Sequence, residues 1–405
     1  MNICVFSIVT YWHGLRGGMD LHGKHLLERL SEKGHKISVI STAHPDGKEF
    51  EEINRIKIFY LKHTTFGSSR KGWKKQSIIK FREIFHKEAI DLVLSQQTAG
   101  YGIVKIAKNL RIPFITIMHG YETMVFLSIL NQIKNFKKGY FYLGKMFLSS
   151  IYNTFFLELP VLRNSSIVIA VSNNVAHILT KRPFINKKKF RIVHYGINIE
   201  SFKPSLEERT NKRRKLNISD QEQVLLFLSL ISKQKGADIA IKAFKELTKY
   251  NNLKLIIAGD GEYLEGAKSL AKQLGVESRV IFTGFVPNED TSKYYNAADI
   301  FIFPTLRLES FGIVLAEAMA CAKSIIASNI GSVPEVIDDG INGLLISPGN
   351  TDQLVQKIHY LLNNKDAAQE LAVNARKKAI EKFSLERMVD ETIDLFEAAV
   401  TEKRQ

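Results

Sequence analysis

From residue 224 onward, short apolar runs recur at spacings that leave room for one amphipathic helix between each pair, and this alternation allows few folds. The runs are residues 224–231, 253–258, 279–282, 299–303 and 323–327. A strand that is apolar on both faces must be covered on both, and a helix crossing between successive strands makes them parallel. The expected result is a doubly wound α/β domain. The first half repeats the pattern less regularly. Residues 2–9, 36–41, 92–95, 113–118 and 167–171 read as strands, and a helix carrying Leu26, Leu27 and Leu30 on one face ends at Gly34.

A chain of 405 residues exceeds what one core can serve, so two domains are expected. Charge separates them. Residues 1–200 hold 30 Lys and Arg against 13 Asp and Glu, a net +17, whereas the remainder nets −1. A one-sided positive field favours an anionic surface or partner. No run is long and apolar enough to span a bilayer; the nearest, residues 146–157, stops at Glu158. The apolar start MNICVFSIV reads as a first buried strand, because it lacks a basic leader and a cleavage site. Cys4 and Cys321, far apart and in apolar contexts, read as buried, reduced thiols of a cytoplasmic protein. No His or Cys spacing resembles a zinc site and no Asp-x-Asp pair is present, so metal independence is expected.

Chemistry concentrates in PTLRLESFGIVLAEAMA, residues 304–320, where a strand enters a loop and the loop a helix. Glu309 lies before Ser310, Phe311 and Gly312, which are expected to open the helix; Glu317 lies about one turn inside. The amides of Gly312, Ile313 and Val314 are then free donors at a positive helix end, which suits phosphate. Carboxylates on either side accept hydrogen bonds from hydroxyls and repel further phosphate. The ligand shape implied is a diphosphate between two polyhydroxylated rings, as in a nucleotide sugar.

This stretch resembles the E-x7-E signature of the retaining glycosyltransferases of family 4, whose fold, GT-B, sets two Rossmann-like α/β domains facing each other across a cleft. The resemblance extends over nearly the whole chain. It implies an acceptor domain at residues 1–200, a nucleotide-sugar domain at 201–384, and a last helix, 385–405, returning to the first. It assigns Glu317 to the ribose, Glu309 to the donor sugar, Val286 to the neighbourhood of the base and Lys235 to the diphosphate. Phe311 belongs to the same donor loop. Gly18, second in a Gly-Gly turn, is placed near the diphosphate, and His119, in TIMHGYE, beside sugar and acceptor. No cofactor is implied beyond the donor, and no protein nucleophile is assigned. Two departures stand out: Tyr195 replaces a commoner Asn, and Leu230 replaces the usual phosphate-binding Arg, leaving Lys233 as a substitute cation.

The implied activity is hexosyl transfer to a glycan, lipid-linked or phosphate-bearing acceptor in cell-surface polysaccharide or glycolipid synthesis. Leu230 motivates an alternative, a non-catalytic nucleotide-sugar or glycan-binding protein. The basic first half adds an expectation of peripheral contact with an anionic membrane, on its cytoplasmic side. Residues 72–88 fit an interfacial helix or one packed on its own domain, and within the aromatic, basic residues 125–164 the segment FKKGYFYLGKMF is the candidate lipid-facing portion. Nucleic acid is not expected, since KRR at 212–214 is short and no recognised module is present.

Overall fold

The computed structural model describes residues 1–14, 17–121, 124 and 140–404. Contacts divide the chain into two compact units, Met1–Gly196 with Glu386–Gln405, and Ile197–Leu385.

The first unit is built on a sheet ordered β3-β4-β2-β1-β5-β6-β7-β8. Its strands are β1 Asn2–Phe6, β2 Lys36–Ser41, β3 Phe50–Ile53, β4 Ile56–Tyr60, β5 Leu92–Gln96, β6 Phe114–Met118, β7 Ile167–Ala170 and β8 Phe190–Ile192. All pairs are parallel except β3 with β4. β1 is shorter than its apolar run: Ser7 N makes the last ladder bond, to Ile40 O at 3.1 Å, and the Ser7 hydroxyl donates to Val9 O as the chain leaves the sheet.

The helix Trp73–Lys87 packs on this unit rather than standing free. Trp73 and Phe81 are fully buried and the indole Nε1 donates to Ala99 O at 2.8 Å, so the cations Lys74, Lys75, Arg82 and Lys87 form its solvated face. Further on, the helix Tyr140–Asn153 continues through a π turn, Thr154–Glu158, into the helix Leu159–Asn164. Residues 125–139, including the first part of FKKGYFYLGKMF, lie outside the described residues.

The second unit carries β9 Gln223–Leu228, β10 Leu253–Ala258, β11 Val280–Gly284, β12 Ile300–Phe303, β13 Ser324–Ser328 and β14 Leu344–Ile346. Their order is β11-β10-β9-β12-β13-β14, all parallel. Renumbered within the unit this is 3-2-1-4-5-6, whose direction reverses between β9 and β12; in open parallel sheets ligands sit outside the strand C-termini at that point. The basic stretch at 206–217 is less solvated than its composition implies. Arg213 is 1% exposed, donating to Ala297 O at 3.0 Å and Asp299 Oδ2 at 2.9 Å, and Arg209 reaches Asp299 Oδ1 at 2.8 Å. Asp299 also accepts from Val224 N at 2.8 Å. This pair of arginines therefore ties the head of β12 to the start of β9.

Candidate functional site

The loops leaving β9 and β12 meet at the reversal point. After β9 the chain makes a tight turn, Lys233–Lys235, and the loop after β12 is pinned to it because Leu306 N and Arg307 N both donate to Gln234 O, at 2.8 and 3.1 Å. This brings Lys235 Nζ to 2.7 Å from Glu309 Oε1, and Thr305 Oγ1 donates to the same oxygen at 3.0 Å. Both charged side chains are largely buried, at 15% and 10% exposure. Glu309 Oε2 has no hydrogen-bond partner among the described residues.

The backbone at Glu309 is held by a second loop. Ser332 N donates to Glu309 O at 2.9 Å, and Gly331, with φ +61°, comes so close that an added Cβ would stand 2.5 Å from Glu309 O and 2.6 Å from Glu309 N. A side chain at 331 would have to displace the Glu309 backbone.

The helix opens at Ile313, later than its sequence implies, because Gly312 turns into the left-handed region, φ +90°, as its N-cap. That turn presents the amides of Gly312, Ile313 and Val314, none of which donates to a protein acceptor among the described residues. The first internal bond of the turn is Leu315 N to Gly312 O at 2.9 Å. Phe311 is wholly buried, edge-on to Phe383 at 5.2 Å between ring centres, so only its backbone is available to a ligand.

Glu317, the fifth helical residue, is 6% exposed and takes one hydrogen bond, from Tyr295 O–H to Oε2 at 2.8 Å. Burial pushes its carboxyl up to about 7, against a smaller lowering by the tyrosine bond. Its Oε1 has no partner among the described residues. The turn therefore carries a row of free amides bracketed by two buried carboxylates, each anchored through one oxygen with the other left for a ligand.

Val286, the predicted base contact, and Leu230, where the family's Arg is expected, lie in loops leaving the same sheet edge. Val286 follows β11, two strands from β9 on the same edge, and is buried, while its neighbour Phe285 is exposed. Leu230 is 55% exposed, so nothing polar replaces the expected Arg at that position; the nearby Lys233 ammonium rests over the Tyr263 ring at 5.2 Å.

Gly18 and His119 belong to the other unit. Its sheet also reverses direction, between β1 and β5, and Gly18 is the first residue of the helix Gly18–Glu32 that follows β1. His119, leaving β6, is 6% exposed with both ring nitrogens engaged: Nε2 donates to Gln96 Oε1 at 2.6 Å and Nδ1 accepts from Tyr195 O–H at 2.6 Å. Burial lowers its pKa to about 3, so the ring is neutral, and it is oriented by two neighbours rather than poised to shuttle protons. His22 packs edge-on against His119 at 5.0 Å, linking the Gly18 helix to the same cluster. His22 Nδ1, Gln96 Nε2 and Asp20 Oδ1 are buried without a protein partner among the described residues.

Sequence reasoning missed Thr305, Tyr295, Gly331, Gln96 and His22. Tyr195 alone had a signal, as a departure from the family pattern. Among the described residues no group of three or more His, Cys, Asp or Glu side chains is placed to hold a metal ion.

Comparison with known proteins gives a consistent result. The family described as Glycosyltransferase Family 4 matches residues 16–201 and that described as Glycosyl transferases group 1 matches residues 208–378. N-acetyl-alpha-D-glucosaminyl L-malate synthase of Bacillus anthracis is 26% identical over 93% of this chain and 92% of its own. Alpha-monoglucosyldiacylglycerol synthase of Streptococcus pneumoniae is 28% identical over 79% of this chain and 70% of its own. Among solved structures, Anabaena HepE in complex with UDP and glucose superposes with a TM-score of 0.78 over 98% of this chain and 100% of that one, at 20% identity, which is a likeness of fold. With one family matched on each half of the chain, and parallel α/β sheets like those of solved members, the protein belongs to the group 1 and family 4 glycosyltransferases and has the GT-B fold.

Proposed function

We propose that the chain transfers a hexose-type sugar, with retention of configuration, from a nucleoside diphosphate sugar to a glycan, lipid-linked or phosphate-bearing acceptor in cell-surface polysaccharide or glycolipid synthesis. The observation that carries this reading is the row of free amides at Gly312–Val314 between the half-satisfied carboxylates of Glu309 and Glu317, with Lys235 beside the first. Diphosphate oxygens fit the amides and the ammonium, donor-sugar hydroxyls fit Glu309 Oε2, and ribose hydroxyls fit Glu317 Oε1. The base is assigned to the Val286 loop. Gly18 and His119 are assigned, on the family resemblance, to the diphosphate and to the sugar and acceptor.

In the reaction the bond from the anomeric carbon to the diphosphate breaks as the acceptor oxygen bonds to that carbon on the same face. The acceptor proton passes to the departing phosphate oxygen. Negative charge grows on the leaving group, where fixed amides and Lys235 stabilise it without reorganising. No protein nucleophile or metal is required. The names of the Bacillus and Streptococcus relatives, both denoting alpha-glycosides, support retention. The UDP and glucose bound to HepE support a donor of this class.

The test is a thermal-shift screen against a panel of nucleotide sugars, then radiolabelled transfer from the stabilising donor in the presence of EDTA. Stabilisation and transfer are expected; no stabilisation by any donor refutes the reading. Exposed Leu230, where a second phosphate-binding cation is expected, favours one alternative, a binding protein without turnover. Stabilisation without transfer or hydrolysis across varied acceptors would establish that alternative.

Gly331→Ala separates a positional role of Glu309 from a general structural one. The added Cβ must displace the Glu309 backbone, at a local cost of about 1–3 kcal/mol. Donor affinity is expected to fall about tenfold in a protein that still melts cooperatively. Isothermal titration of the donor checks it, and an unchanged affinity contradicts the placement of Glu309.

A further inference from the structure

The helical run from Tyr140 to Asn164 is amphipathic in an unusual sense. Its inward positions in the middle are small or polar, with Ser150 and Thr154 7% and 6% exposed, while its bulky apolar side chains point out. Phe147, Leu148, Ile151, Tyr152, Phe155 and Phe156 are between 38% and 67% exposed and recur in pairs four residues apart, along one side of the run. A helix facing only water gains nothing from this pattern, and contiguous apolar patches of this kind mark interaction sites.

The charge around the face identifies its partner. Arg70 Nη2 donates to Ser149 Oγ at 2.7 Å, and its guanidinium lies over the Tyr152 ring at 5.6 Å. Arg70 thereby joins the exposed cations Lys71, Lys74 and Lys75 to the border of the apolar face, and Lys145 lies on the helix itself. Neither residues 53–82 nor residues 140–157 contain a single Asp or Glu. Bulky apolar groups beside the exposed cations Arg70, Lys71, Lys74 and Lys75 match a surface of anionic headgroups over hydrocarbon.

We propose that this face docks the enzyme on an anionic lipid bilayer, with Phe147, Leu148, Ile151, Tyr152, Phe155 and Phe156 entering the interface and Arg70, Lys71, Lys74 and Lys75 meeting the headgroups. The proposal deepens the reading that the acceptor is lipid-linked and rests on it for its purpose, though not for its test. Only Phe147 of the face falls within FKKGYFYLGKMF; the rest lies beyond it, as far as Phe156. The helix Trp73–Lys87 contributes its cations, while its aromatic residues Trp73 and Phe81 serve the core.

The experiment is flotation of the full chain with vesicles of phosphatidylcholine alone and of phosphatidylcholine mixed with phosphatidylglycerol. The protein is expected to float with the mixed vesicles only, and to be released by salt. Phe155→Ser and Phe156→Ser should each weaken vesicle binding about tenfold, and Lys74→Gln and Lys75→Gln about fivefold each. Phe184→Ser, 88% exposed elsewhere in the same unit, should leave binding unchanged. Melting temperature and donor-induced thermal shift should match wild type in every variant, which separates a failure of docking from a failure of donor binding. Flotation unaffected by the Phe155 and Phe156 changes overturns the proposal. So does a wild-type protein that ignores both vesicles and sediments as a dimer broken by Phe155→Ser, because the face would then join two copies of the chain.

Discussion

Lys235→Ala is expected to lower kcat by about 10²- to 10³-fold, the usual consequence of removing a fixed donor aimed at a developing oxyanion. Glu309→Ala is expected to abolish transfer to a similar degree by freeing the sugar end of the donor. The two residues share one contact, 2.7 Å between Nζ and Oε1, at low exposure. An ammonium has three donors, so Lys235 keeps Glu309 in place with one and, on the proposed reading, has the others for the diphosphate. Leu230 stands in place of the usual Arg, and the nearby Lys233 ammonium lies over the Tyr263 ring. Each single change also strands a largely buried partner and should cost about 1–3 kcal/mol of stability. The double variant should lose less than the sum, because no stranded charge remains, yet show no recovery of turnover. Lys235→Arg should restore stability better than rate, since a planar fork does not reproduce a compact ammonium. Steady-state kinetics and chemical denaturation on wild type and the four variants check these expectations. Turnover of Lys235→Ala within a few-fold of wild type would show that the diphosphate is held elsewhere.

The parts of this site that sequence made legible share a property: their meaning is local. Glu309, Gly312 and Glu317 lie within one strand-loop-helix segment, where spacing alone predicts free amides between two acids. Their partners are not local. Lys235 is 74 residues from Glu309 in sequence and Tyr295 is 22 from Glu317, and both contacts depend on which strands become neighbours. Alternation of strands and helices predicts a parallel sheet but not that β9 lies beside β12. The helix starts later than the spacing predicts because the left-handed turn at Gly312 separates the loop from Ile313. Composition says little about Arg213, since a run of cations is ordinarily solvated and this one is buried. With Arg209 it pairs with Asp299 at the head of β12. The aromatic stretch beyond Tyr140 was visible as aromatic and basic; which of its sides faces outward depends on Ser150 and Thr154 being the groups small enough to pack inward.

Raising the pH from 5 to 8 is expected to strengthen donor binding about a hundredfold while weakening the fold, and Glu317 causes both effects. Its carboxyl titrates near 7 in the folded chain, against an ordinary value of 4.5, because burial disfavours the ion. A folded pKa above the unfolded one means that the native state holds the proton more tightly. The resulting stability is fully present below pH 4.5, declines between 4.5 and 7, and is gone above 7, a change of about 3 kcal/mol. Ligand binding runs the other way. Ribose hydroxyls donate to a carboxylate, so the ionised form binds the donor, and affinity should rise about tenfold per pH unit up to 7 before levelling. Glu317→Gln removes both slopes: the variant should be more stable than wild type at pH 8, and its weaker donor binding should no longer vary across this range. Melting temperature and calorimetric donor affinity, each measured from pH 5 to 8 in both proteins, distinguish the two contributions. If Glu317 met no hydroxyl of the donor, wild type would keep its stability slope and lose its affinity slope, because burial alone sets the first whereas the second also requires contact with the ligand.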